Sequence, residues 1–156
     1  MQCLQNATFK YNQGLLTHDS DLSTIGSRIK YYRLLNNLTQ EQLAIKSNVD
    51  RCTINRYENN LVDYSLDIVN EIAIALEIIP SLIYDDYLNF ISSNYGDEIQ
   101  YMRRSLKLTQ EEFGDILGVH KKTIRMWEKQ QAYPTRENFI KIKIHNIIFS
   151  IKNNKI

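Results

Sequence analysis

Two short stretches of this chain carry side chains that could act on a partner. Arg51, Cys52, Thr53, Asn55 and Arg56 fall within one run of six residues, and Lys121, Lys122, Thr123, Arg125 and Met126 fall within another. Guanidinium and ammonium groups donate hydrogen bonds to anions, and the same groups suit base edges. Arg and Lys donate to guanine O6 and N7, and Asn pairs with adenine N6 and N7. Catalytic chemistry has no comparable foothold. His18, His120 and His145 stand at no metal-ligand spacing from one another or from Cys3 and Cys52. Asp85 and Asp86 read as a solvated helix face rather than a catalytic pair. No phosphate-binding loop, nucleophile elbow or dinucleotide fingerprint occurs. The expectation is a binding protein with no metal and no cofactor, not an enzyme.

The two stretches are copies of one unit. Slid against itself by 70 positions, the sequence lays LTQEQLA (38–44) on LTQEEFG (108–114) and TINRYE (53–58) on TIRMWE (123–128). Without a gap, 11 of the 30 positions from 29 to 58 are identical to their counterparts, where unrelated sequences give roughly two. The small polar run Ser92-Ser93-Asn94-Tyr95-Gly96 reads as the join. The expected organisation is an extension over 1–22, a first domain over 23–92, and a second domain over 93–156 that ends in a helix.

The elements that position these side chains follow from periodicity. Ile25, Ile29, Tyr32 and Leu35 recur at helical spacing and predict a first helix. Thr39 with Gln42, and Thr109 with Glu112, form capping boxes that open a second helix of about two turns. Its small residue, Ala44 or Gly114, lets another helix approach closely. Asn48 and Gly118 are the types that best tolerate positive φ, so a sharp turn belongs there, with Val49 or Val119 plugging the core after it. Asp50 is a good N-cap for the third helix and His120 a poorer one. That helix buries Ile54 and Tyr57, or Ile124 and Trp127, at core spacing. It leaves Arg51, Cys52, Asn55 and Arg56 free in one copy, and Lys121, Lys122, Arg125 and Met126 in the other, which is the helix-turn-helix pattern. Ser65–Leu76 and Pro80–Ile91 predict two further helices. Near the C-terminus, Ile140, Ile144, Ile147, Ile148 and Ile151 share one helical face, although residues 140–144 also alternate like a strand; helix is favoured over the longer window. Phe139, Ile142 and Phe149 lie at other angles, so something must cover a second side.

These residues resemble the phage-repressor-like (XRE) family over about 25–90 and 96–145. The resemblance implies an all-α fold of two tandem lambda-repressor-like domains. It implies that an arginine of helix 1 pairs with the glutamate ending helix 3, here Arg33 with Glu58 and Arg103 with Glu128. It places base-reading residues on helix 3, at Arg51, Cys52, Thr53, Asn55 and Arg56 and at Lys121, Lys122, Thr123, Arg125 and Met126. It puts Gln40 and Gln110 near phosphates. The chain departs from the family pattern at Cys52 and Met126, unusual types at those positions. It departs again at Glu98, whose counterpart Arg28 keeps the basic type common in the family.

Composition bounds the partner. Of 156 residues 43% are apolar, enough to bury a core, and no run reaches the roughly 20 apolar residues of a membrane helix. The N-terminal residues lack the pattern of a secretory signal, and the two distant cysteines suggest neither a disulfide nor a zinc site, so a cytoplasmic protein with no membrane contact is expected. The net charge of +1 hides a division: residues 25–92 sum to −3 and residues 95–156 to +5. The basic half has the footprint of a nucleic-acid binder. The leading expectation is a transcriptional regulator, read as a repressor, that binds double-stranded DNA. The alternative is a protein-interaction module on the same scaffold, an antitoxin or phage-encoded inhibitor using its acidic first domain. A homodimer is favoured over a monomer.

Overall fold

The computed structural model describes residues 22–153, with side chains described through His145. Residues 1–21 of the extension, with Cys3 and His18, and the side chains of Ile147, Ile148, Phe149 and Ile151, lie outside the described residues. Among those described there are nine α-helices, one 3₁₀ turn and no strand. In order they are α1 (Ile25–Leu35), α2 (Gln40–Ser47), α3 (Arg51–Glu58), α4 (Leu66–Ala75), the 3₁₀ turn Pro80–Leu82, α5 (Asp86–Ser92), α6 (Tyr95–Ser105), α7 (Gln110–Leu117), α8 (Lys121–Glu128) and α9 (Arg136–Asn153). Helices α6, α7 and α8 start and stop 70 residues after α1, α2 and α3. The chain forms two compact units, divided between Asp85 and Asp86, so α5 belongs to the second.

In the first unit, Ile25 and Ile29 of α1 meet Leu43 and Ala44 of α2, Ile54 and Tyr57 of α3, and Val69, Ile72 and Ala73 of α4 in the buried set. Each fully buried isoleucine or leucine contributes about 1.5–3 kcal/mol. The expected inward row of α1 is corrected at one end: Leu35 is exposed, and the i+4 row from Ile25 and Ile29 continues to Arg33, which is buried. Leu35 closes the last turn of α1, beyond the reach of that row. The segment 80–91 is not one helix. The Arg28 guanidinium takes the carbonyls of Ile83 (3.2 Å) and Tyr84 (2.5 Å), which a continuous helix would need for its own ladder. The chain therefore breaks between the 3₁₀ turn and α5.

The second unit rebuilds this core with larger side chains. Tyr95, Ile99, Met102, Phe113, Leu117, Ile124 and Trp127 are buried together, and Ile142 of α9 joins them. The alternating run 140–144 is helical, as the longer isoleucine period required. Of its two apolar sides, the one with Ile142 faces inward: Ile142 is 5% exposed, whereas Ile140 and Ile144 are 55% and 50% exposed. Phe139 sides with Ile142 and stacks near Phe90 and Tyr87 at ring separations of 5.1 and 5.7 Å. Aromatic packing at 139 sets the rotation of the helix and turns the Ile140/Ile144 edge outward.

Candidate nucleic-acid interface

In both units one buried ion pair holds the end of the third helix. Arg33 Nε donates to Glu58 Oε1 at 2.5 Å and its Nη2 to Oε2 at 2.8 Å, while Nη1 donates to the Leu38 carbonyl at 2.8 Å. Arg103 repeats the set on Glu128 and the Leu108 carbonyl at 2.6, 3.2 and 2.8 Å. A forked guanidinium on a carboxylate fixes both distance and plane. One contact thus ties the end of the first helix, the start of the second and the end of the third. Gln40 Nε2 adds a hydrogen bond to Glu58 at 2.9 Å, and Gln110 Nε2 one to Glu128 at 2.8 Å. Both glutamines are half-buried on this network.

The turn then aims the third helix. Asn48 and Gly118 take the left-handed conformation, with φ of 52° and 72°. Asp50 caps α3 by accepting from the Cys52 amide at 2.7 Å. His120 caps α8 through Nδ1, which accepts from the Lys122 amide at 3.1 Å. Thr39 and Thr109 close their capping boxes at the neighbouring helix starts. The outward faces are then Arg51, Cys52, Asn55 and Arg56 on α3, and Lys121, Lys122 and Arg125 on α8. Thr53, Thr123 and Met126 are half-buried. Each row is one helix side wide, which a major groove admits.

Charge differs between the faces. The first basic residue of each third helix meets a glutamate from the second helix: Arg51 with Glu41 at 3.7 Å, and Lys121 with Glu111 at 3.3 Å. Among the described residues, Arg56, Lys122 and Arg125 form no ion pair or side-chain hydrogen bond. Arg104, Lys107 and Lys129 are likewise exposed and unpaired in the second unit. The Glu128 carboxyl is held below its ordinary pKa: burial, the strongest influence, pushes it up, but hydrogen bonds from Arg103, Gln110 and Gln100 and the charge of Arg103 outweigh that. Glu112 is also lowered, chiefly by the Thr109 backbone N–H and then by its hydroxyl.

Several positions carry structural weight that pattern reading missed. Arg28 is a structural clasp, since its Nε also donates to the Leu22 carbonyl at 2.7 Å. Gly26 and Gly96 let the first helix pass over the end of the third. A Cβ at Gly26 would lie 2.2 Å from the Tyr57 carbonyl oxygen, and one at Gly96 2.7 Å from that of Glu128. The signal was present, because two of only five glycines occupy the same place in the repeat. No group of three or more His, Cys, Asp or Glu able to hold a metal occurs among the described residues. No helix among them is long and apolar enough to cross a membrane.

Comparison with known proteins agrees with this geometry. A family model described as helix-turn-helix matches residues 29–81 and again 99–142. An uncharacterized HTH-type transcriptional regulator of Methanocaldococcus jannaschii is 44% identical over 62 residues, which span 38% of this chain and 94% of that protein. No solved structure matches the chain.

Proposed function

Because the chain belongs to the XRE-type helix-turn-helix family of DNA-binding regulators, we propose that it is a sequence-specific double-stranded DNA-binding repressor that reads the major groove with α3 and α8. The observation that carries this reading is the repeated clamp. Arg33–Glu58 and Arg103–Glu128 hold two third helices in the same local frame, each with its polar row outward. Arg51, Cys52, Thr53, Asn55 and Arg56 form one reading row, and Lys121, Lys122, Thr123, Arg125 and Met126 the other. Unsatisfied N–H groups at the starts of α2 and α7 add phosphate donors. Gln40 and Gln110 serve mainly as struts of the clamp, with phosphate contact secondary. The test is selection by the full-length protein from a randomised duplex library at physiological salt. A recurrent motif is the expected result. Recovery of unenriched sequence would contradict sequence-specific reading.

The two rows differ in composition, so one chain reads an asymmetric sequence. Assembly as a homodimer rests on the exposed Ile140 and Ile144 of α9. Light scattering on the chain carrying Ile140→Glu and Ile144→Glu, which keeps the buried Ile142, should give a monomer where the unsubstituted chain gives a dimer. A monomeric full-length protein at micromolar concentration contradicts this.

A second reading has its own support. The first unit sums to −3, and Ile74, Ile79 and Leu82 are exposed along the end of α4 and the 3₁₀ turn. This suits a protein partner, with DNA binding left to the second unit. If that reading holds, Arg51→Ala with Arg56→Ala leaves duplex affinity unchanged.

A further inference from the structure

The two units present one scaffold with a chemical difference at its fifth helix position. Residue five of α3 is Asn55 and residue five of α8 is Arg125, both exposed. Asn55 is tethered. Its Nδ2 donates to Gln40 Oε1 at 3.4 Å, Gln40 Nε2 donates to Glu58 at 2.9 Å, and Glu58 is gripped by Arg33. Four side chains thus lead from the buried ion pair to the exposed carboxamide. In the second unit the same series stops at Gln110, and Arg125 is unpaired among the described residues.

The direction of this series decides what Asn55 can offer. A carboxylate only accepts, so Gln40 must turn its amide nitrogen to Glu58 and its oxygen to Asn55. That oxygen only accepts, so Asn55 must turn its NH2 towards Gln40. One hydrogen of that NH2 and the whole of Oδ1 remain for a ligand. A donor beside an acceptor complements adenine N7 and N6–H2. Guanine presents two acceptors, O6 and N7, which the single remaining hydrogen cannot satisfy. Arg125 offers only donors, in the fork that matches guanine O6 and N7.

The geometry points to an adenine-selective position beneath Asn55 in one half-site and a guanine-selective position beneath Arg125 in the other, with Gln40 as the residue that orients Asn55. This rests on the reading of α3 and α8 as major-groove readers. Positions two and six also differ, Cys52 against Lys122 and Arg56 against Met126, but Cys52 and Met126 offer no paired donors and acceptors, so only the fifth of these sets one bidentate base-reading group against another.

The test takes the full-length chain, its selected duplex, and the single-base variants of that duplex, with competition followed by fluorescence anisotropy. The wild type should prefer adenine about tenfold or more at one position and guanine by as much at another. Asn55→Arg should move the first preference to guanine and leave the rest of the motif alone. Arg125→Asn, which places a carboxamide beside Gln110, should move the second to adenine. Gln40→Leu should flatten the adenine preference. Gln110→Leu loses the same kind of bond to the buried glutamate and should leave the guanine preference intact. That pair separates orientation from mere support of the fold, and thermal unfolding checks that each variant is folded. Specific binding with base preferences unmoved by Asn55→Arg and Arg125→Asn overturns the inference while leaving the regulator reading standing. Absence of salt-dependent duplex binding overturns the regulator reading, and this inference with it.

Discussion

At the residue scale the buried ion pairs hold the end of each third helix to the first. Removing one partner strands the other charge. The side chains of Glu58 and Glu128 are 2% and 3% exposed. Glu58→Ala should therefore cost about 3–5 kcal/mol of stability, measured by denaturant unfolding. A cost near zero would mean that packing alone holds α3. Glu128 also sets an acid dependence. Its pKa is lowered in the folded unit, so its stabilising contribution is present above the ordinary glutamate value, about 4.3. That contribution is lost as pH falls through the depressed value. Trp127, the chain's one tryptophan, is buried beside it and reports the second unit. The gap in unfolding midpoint between wild type and Glu128→Gln, followed by Trp127 fluorescence, should be full at pH 7 and shrink towards pH 3. A gap constant with pH contradicts the assignment. The pairing itself was legible from the family resemblance. The part played by Gln40 and Gln110 was not, because a glutamine one residue past a cap looks the same whether it faces solvent or a buried carboxylate 18 residues away.

At the element scale, caps and left-handed residues were the most readable features, since they depend on local chemistry. Thr39, Thr109, Asp50, Asn48 and Gly118 all occupy the places their types indicate. The least readable feature was which side of a helix faces inward. Residues 136–153 were legible as helix, but the aromatic contacts of Phe139, not isoleucine period, set its rotation. Likewise nothing local in 80–91 announces the break that Arg28 imposes from 55 residues away. The local features carry their own predictions. His120→Asp supplies the better cap seen at Asp50 and should stabilise the second unit by about 0.5–1 kcal/mol. Lys107 and Gln130 sit at φ of 57° and 54° without being glycine or asparagine. Either one changed to Gly should be neutral or stabilising by a few tenths of a kcal/mol, as relief of strain offsets lost chain stiffness. Destabilisation beyond about 1 kcal/mol, read in thermal melts, would show that these side chains hold contacts that outweigh the strain.

At the scale of the whole molecule, charge separates two units that share a fold. The repeat made the duplication legible without any structure, because eleven identities in thirty positions reach across every element. The charge division was legible too, but its use depends on which cations are free. Arg51 and Lys121 each face a glutamate, while Lys122 and Arg125 do not. Replacing Lys121, Lys122 and Arg125 with alanine should therefore weaken duplex binding more than replacing Arg51 and Arg56, at one fixed salt concentration. Equal losses would make local charge a poor guide to where the phosphates lie. The central claim, that two clamped third helices serve a DNA duplex, is tested most directly by the dissociation constant for the selected duplex measured across a salt series. The account predicts that the logarithm of affinity falls linearly with the logarithm of salt concentration, with a slope steeper than about −3. The Lys121, Lys122 and Arg125 replacement should make that slope shallower by about 1 for each phosphate contact removed. A slope near zero, or no binding at low salt, would contradict it.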